Sequence, residues 1–201
     1  MSIVAGAALV SAASADRLIF IPTAVKLRIG VVRAEAMFSG THGRDIQGFL
    51  GTGLGKSVDL ELTYSKVQGQ SSVGSFNLAY YYIIPVTDLT PGVSVGVQDF
   101  LDKTPEGRSF YAAVTYRLGQ VGDYNSDVPG ELTIGMGSRR YRRGAFVGFM
   151  LPFADQLRIL GEYDTNKITA GFEIRPIRGL AIRTLFQSDQ TFWSLSYSVK
   201  F

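Results

Sequence analysis

Apolar and polar residues alternate with a period of two from Val25 almost to the last residue, which places successive side chains on opposite faces of a strand. In Val58-Asp-Leu-Glu-Leu-Thr-Tyr-Ser-Lys66, Val58, Leu60, Leu62 and Tyr64 share one face and Asp59, Glu61, Thr63 and Ser65 the other. Phe76, Leu78, Tyr80, Tyr82 and Ile84 oppose Ser75, Asn77 and Ala79, and Phe110, Ala112, Val114, Tyr116 and Leu118 oppose Ser109, Tyr111, Thr115 and Arg117. The pattern returns in Ile168 to Arg175 and in Trp193 to Phe201. Glycine, proline and Asp/Asn clusters at 55–57, 85–92, 102–107, 119–130, 152–155, 164–166 and 176–179 separate the runs. Together these signals predict twelve strands near 24–38, 45–53, 58–67, 72–84, 92–100, 109–118, 130–138, 144–151, 156–163, 167–175, 179–187 and 191–201. No helical periodicity of useful length interrupts them, and the repeating unit is the hairpin.

Alternation alone fits two architectures, because a soluble β-sandwich buries its apolar face whereas a membrane barrel turns that face to lipid. Three features favour a closed antiparallel up-and-down transmembrane β-barrel of about twelve strands, an all-β fold with the even strand number that antiparallel closure prefers. The polar faces mix both signs of charge with Gly and Ser, so Asp59, Glu61, Arg117, Glu131, Arg158, Glu162, Glu173, Arg175 and Arg183 can neutralise one another in a tight lumen. A charge at the lipid midplane costs about 2–4 kcal/mol, which assigns these side chains inward and lets opposite charges meet across the interior. Aromatics gather toward strand ends, at Tyr80 to Tyr82, Tyr116, Tyr163, Phe186 and Trp193, as interfacial girdles require. The chain stops on the strand Tyr197-Ser-Val-Lys-Phe201, whose terminal aromatic is the ending that barrel assembly machinery reads. Twelve strands put both termini in the periplasm and the connections near 39–45, 68–71, 101–108, 139–143, 164–166 and 188–190 outside.

Composition narrows the chemistry. The 201 residues are one domain's worth of chain, read as a signal peptide over 1–15 and a single barrel domain over 16–201. Ile3 to Val10 is a short apolar core, and Ala13-Ser14-Ala15 has the small-residue spacing of a signal-peptidase site, although no Lys or Arg precedes it. Export to a Gram-negative outer membrane follows. That apolar run of eight falls far short of the roughly 20 residues of a spanning helix. Cysteine is absent and His42 is the one histidine, which excludes disulfides, thiolate sites and multi-imidazole zinc sites. Lys and Arg are scattered and the net charge is +3, so nucleic acid is not an expected partner.

Candidate chemistry is sparse. His42 lies beside Asp45 and could serve as a general base, but the His and Ser two positions apart of barrel phospholipases are missing, since Gly43 and Arg44 follow it. Gly48, Gly51, Gly53 and Gly55 read as kinks in a curved strand, because Gly55-Lys56-Ser57 runs into a strand and not a helix. No catalytic residue, metal site or cofactor is expected. Arg139, Arg140, Arg142 and Arg143 sit at a hairpin end and suit either the phosphates of lipopolysaccharide or an anionic glycan, or else a solvated loop. The expected partners are outer-membrane lipid and lipopolysaccharide, the assembly machinery through Phe201, and a polysaccharide.

Particular stretches resemble the YjbH-like outer-membrane proteins encoded with exopolysaccharide genes: Ile21-Pro-Thr-Ala24 opening the barrel, Gly92-Val-Ser-Val-Gly-Val-Gln-Asp-Phe100, Gly144-Ala-Phe-Val-Gly148 and Leu160-Gly-Glu-Tyr-Asp164. The resemblance extends over most of 20–201 and implies an outer-membrane barrel that serves the making or export of extracellular polysaccharide. The chain departs from the large members by its length and by lacking a lipobox cysteine. The family carries no catalytic residue over. A non-enzymatic barrel for polysaccharide production or export is therefore the reading to test, with a passive pore, a soluble β-sandwich binding module and an outer-membrane hydrolase as its competitors.

Overall fold

The computed structural model describes residues 17–40, 45–85, 90–119, 129–141, 143–188 and 190–201. Twelve strands follow in order: β1 (Val31–Ser39), β2 (Ile46–Leu54), β3 (Val58–Lys66), β4 (Val73–Ile83), β5 (Gly92–Gln98), β6 (Ser109–Leu118), β7 (Gly130–Gly137), β8 (Ala145–Pro152), β9 (Leu157–Tyr163), β10 (Ile168–Ile174), β11 (Leu180–Gln187) and β12 (Gln190–Lys200). Each pairs antiparallel with its neighbours in sequence, and β1 closes on β12 with Val31 opposite Lys200 and Ser39 opposite Phe192. Closure removes every free sheet edge and rules out the sandwich. One short 3-10 helix, Arg139–Tyr141, caps the β7–β8 hairpin.

The register turns the apolar face outward. Leu62, Phe110, Met136, Ile168, Phe172 and Trp193 all stand exposed on the wall, an arrangement that is costly against water and suits lipid. Aromatics mark both ends of this belt. Tyr80, Tyr82 and Tyr116 lie toward the end where β1 starts and β12 finishes, and Tyr163, Phe186 and Trp193 toward the other. Tyr81 departs from the expected girdle: it points into the barrel and is only 1% exposed. The connections following β1, β3, β5, β7, β9 and β11 share the end opposite Val31 and Lys200.

The first strand is shorter than its alternation predicts. It begins at Val31, not near residue 24, and residues 17–27 lie inside the barrel instead. A local feature marks the break: Gly30 takes the left-handed φ of 75°, which a side chain resists. Gly30 accepts the Phe201 N–H through its carbonyl while Val31 donates to Arg28, so a tight turn redirects the chain out of the lumen and into the wall. The proposed leader over 1–15, with Ala13-Ser14-Ala15, lies outside the described residues, as do His42, Arg44 and Arg142.

Candidate functional site

The lumen is occupied. Leu18, Ile19, Ile21, Ala24, Val25 and Leu27 of the N-terminal segment are at most 2% exposed. Leu18, Ile19 and Ile21 join one cluster with inward side chains of the wall, among them Met37, Tyr111, Phe146, Met150, Leu160 and Leu185, and Leu27 packs with Val31. Inward glycines make the room. A Cβ on Gly53 would stand 2.6 Å from the Leu27 carbonyl oxygen, one on Gly92 2.7 Å from that of Ala24, and one on Gly148 2.6 Å from the side chains of both Leu18 and Ile21. The glycine string of β2 is thus partly a seat for this segment. A cavity beside Arg17, Pro22, Asp59, Glu61 and Tyr111 measures about 20 Å³, the room of a single water.

A segment enclosed in a barrel must have its backbone groups satisfied by itself or by the wall, and beyond the turn in which the Leu18 N–H donates to the Ile21 carbonyl at 2.9 Å its amides need outside partners. The wall supplies them. Glu162 accepts the N–H groups of Ile19, Phe20 and Ile21 at 3.1, 3.0 and 3.3 Å. Thr115 Oγ1 accepts the Ala24 N–H at 2.8 Å, Ser94 Oγ donates to the Thr23 carbonyl at 3.0 Å, and Asp59 Oδ2 accepts the Leu27 N–H at 2.8 Å. Arg183 Nη1 donates to the Leu18 carbonyl at 3.1 Å.

Two cations of the segment meet the acids of β1 and β3. Arg17 bridges Glu35 at 2.7 Å and Glu61 at 2.8 Å, with its guanidinium 3.5 Å from the Phe49 ring centroid. Lys26 pairs with Asp59 at 2.9 Å. On the other side the wall charges satisfy one another. Glu173 of β10 sits in register between Arg158 of β9 and Arg183 of β11, reaching them at 3.4 and 2.7 Å, and it also takes Arg175. Arg183 extends on to Glu35 at 3.4 Å, linking the two sides.

Every described member of the expected charge set faces inward. Asp59, Glu61, Glu131, Arg158, Glu162, Glu173 and Arg183 are buried, and Arg117 and Arg175 are half-buried. Arg183 meets Glu173 on the adjacent strand and Glu35 of β1. Arg117 and Glu131 stand opposite each other across β6 and β7, and among the described residues Arg117 Nε and Glu131 Oε2 have no hydrogen-bond partner. Arg33 and Glu35 alternate with Ala34 and Ala36 in β1 and are legible by the same rule, whereas Arg17 and Lys26, which belong to no strand of the wall, are not. A usable signal exists nonetheless: β8, Ala145-Phe-Val-Gly-Phe-Met-Leu-Pro152, is apolar on both faces, as a strand covered on both sides is.

The arginine run divides. Arg139 is exposed and pairs with Asp102 at 3.1 Å, and Arg143 is exposed. Arg140 is half-buried, its N–H donating to Ser109 Oγ and its carbonyl accepting from Asn166. Arg142 lies outside the described residues.

No family model and no curated protein matches the sequence. Among solved structures the chain is similar to a KdgM porin in complex with disordered oligogalacturonate, with a TM-score of 0.53 and 11% identity over 85% of this chain and 99% of that one. The likeness is one of fold: a closed β-barrel of porin type.

Proposed function

We propose that this chain is a non-enzymatic β-barrel of a Gram-negative outer membrane, closed by its own N-terminal segment, and that it serves the production or export of extracellular polysaccharide. The observation that carries the closed state is the burial of residues 17–27 within the lumen on side chains from β1, β3, β5, β6, β9 and β11. The apolar outer wall and the porin fold support the membrane setting. The polysaccharide role is supported by the resemblance at Ile21–Ala24, Gly92–Phe100, Gly144–Gly148 and Leu160–Asp164 to YjbH-like proteins. The similar porin, too, was solved in complex with a sugar chain, an oligogalacturonate.

Planar-bilayer recording tests the closed state. The full chain is expected to pass little current, and Arg17→Ala with Lys26→Ala to pass markedly more, because both substitutions release the segment without touching the wall. A steady large conductance of the unmodified chain overturns closure and leaves a passive pore. Retention in the aqueous fraction without detergent, and migration that heating does not alter, overturns the membrane setting. Loss of the gene is expected to lower secreted polysaccharide, with His42→Ala restoring it as well as the wild-type chain does.

A further inference from the structure

At the barrel end opposite Val31 and Lys200, an aromatic floor on the outer wall carries arginines above it. Phe100 leaves the end of β5 and folds back over β4: its N–H donates to the Phe76 carbonyl at 2.9 Å and the two rings stack at 5.1 Å. Arg108 stands two residues before the outward Phe110, and so shares its face and points out. Its Nε donates to the Phe100 carbonyl at 2.9 Å and its guanidinium lies 5.5 Å from the Phe100 ring centroid. Arg139 approaches from the β7–β8 hairpin to Asp102, whose Oδ1 accepts both Arg139 Nη1 at 3.1 Å and the Arg108 N–H at 2.6 Å. Gly107, at φ 71°, clears the way, for a Cβ there would stand 2.7 Å from Arg139 Nη1. Asp99, Asp102 and Arg139 hold left-handed φ values of 51°, 57° and 35°. Such conformations cost energy in residues with a side chain and gather at binding sites.

The geometry points to a site for the phosphate of a glycolipid headgroup in the outer leaflet, made by Arg108 and Arg139 over Phe100. Asp102 takes the Arg139 guanidinium but only the backbone N–H of Arg108, whose own guanidinium meets a carbonyl and, among the described residues, no carboxylate, so a cation remains beside exposed rings. Guanidinium forks match phosphate oxygens. Phe100, 43% exposed, and Phe110, 61% exposed, lie directly below, in the layer where acyl chains give way to headgroups. A free anion would use the arginines alone, whereas a lipid uses both layers.

This site rests on the membrane reading above, and the experiment separates the two. The full chain is placed in nanodiscs containing a diphosphorylated disaccharide lipid or its dephosphorylated form, and lipid retained after detergent extraction is counted by native mass spectrometry. The phosphorylated lipid is expected to be retained selectively, with retention roughly tenfold weaker for Arg108→Ala/Arg139→Ala, weaker also for Phe100→Ala, and unchanged for Arg178→Ala at the opposite end. Equal retention by the double variant, or of the dephosphorylated lipid, overturns the site while insertion into the nanodisc upholds the membrane reading. Failure of the wild-type chain to insert overturns both. Heat-modifiable migration of each variant identifies any that has not folded.

Discussion

The two sides of the lumen balance their charges by different means. On the β9–β11 side, Glu173 is matched by Arg158, Arg175 and Arg183, all from the wall itself. On the β1–β3 side, Asp59 has Lys26 and Glu61 has Arg17, and both cations belong to the inserted segment. Removing a partner from a buried ion leaves an uncompensated charge that costs far more than the pair gained. Glu173 is therefore satisfied by the barrel alone, whereas Asp59 is satisfied only while the segment is in place, as is Glu162 of β9 through the amides of Ile19, Phe20 and Ile21. The difference separates a charge cluster that holds the fold from charges that hold a plug.

The sharpest way to break this comparison is Glu173→Ala, which leaves three guanidiniums facing one another. A loss of about 3–5 kcal/mol in urea unfolding from detergent is expected, with the barrel and the plug lost together. Arg17→Ala comes next, at about 2–3 kcal/mol, since Glu35 keeps Arg183 and Glu61 keeps Arg33 at 3.7 Å. Here the barrel should persist, still heat-modifiable, while its conductance rises and the segment becomes open to protease. If Arg17→Ala unfolds the barrel as Glu173→Ala does, the two sides are not distinct.

Gly53→Val sharpens the comparison by steric means. Valine favours the strand but its Cβ meets the Leu27 carbonyl, so the segment should be displaced at a cost of about 1–3 kcal/mol without loss of closure. Protease cleavage near residues 24–28 with intact heat-modifiability is the expected result. The smallest effect lies at the far rim and concerns acid. Burial pushes the Asp99 carboxyl up, but the N–H groups of Lys103 and Thr104 and the Thr104 hydroxyl outweigh it and hold the carboxyl below the usual range. Its contribution is thus complete above the ordinary aspartate pKa and is lost as pH falls through the lowered value. Hydrogen exchange in loop 99–108 should stay slow at mildly acid pH and quicken only in strong acid, and Asp99→Asn should remove that pH dependence while leaving the lumen closed.

Period-two alternation determined the strands by itself, apart from the start of β1, because one wall face meets hydrocarbon and the other meets a crowded interior, and register cannot slip without exchanging them. It also set the direction of Asp59, Glu61, Arg158, Glu162, Glu173 and Arg183, since charges on the lipid face are too costly. Which acid meets which cation was decided only in three dimensions, for pairing depends on register between strands and on what fills the centre. The fate of residues 17–27 was likewise tertiary. Leu18-Ile-Phe-Ile-Pro-Thr-Ala-Val25 has the composition of a strand, and nothing local to it shows that Gly53, Gly92 and Gly148, far along the chain, leave a channel of its width, or that Glu162 waits there for three of its amides.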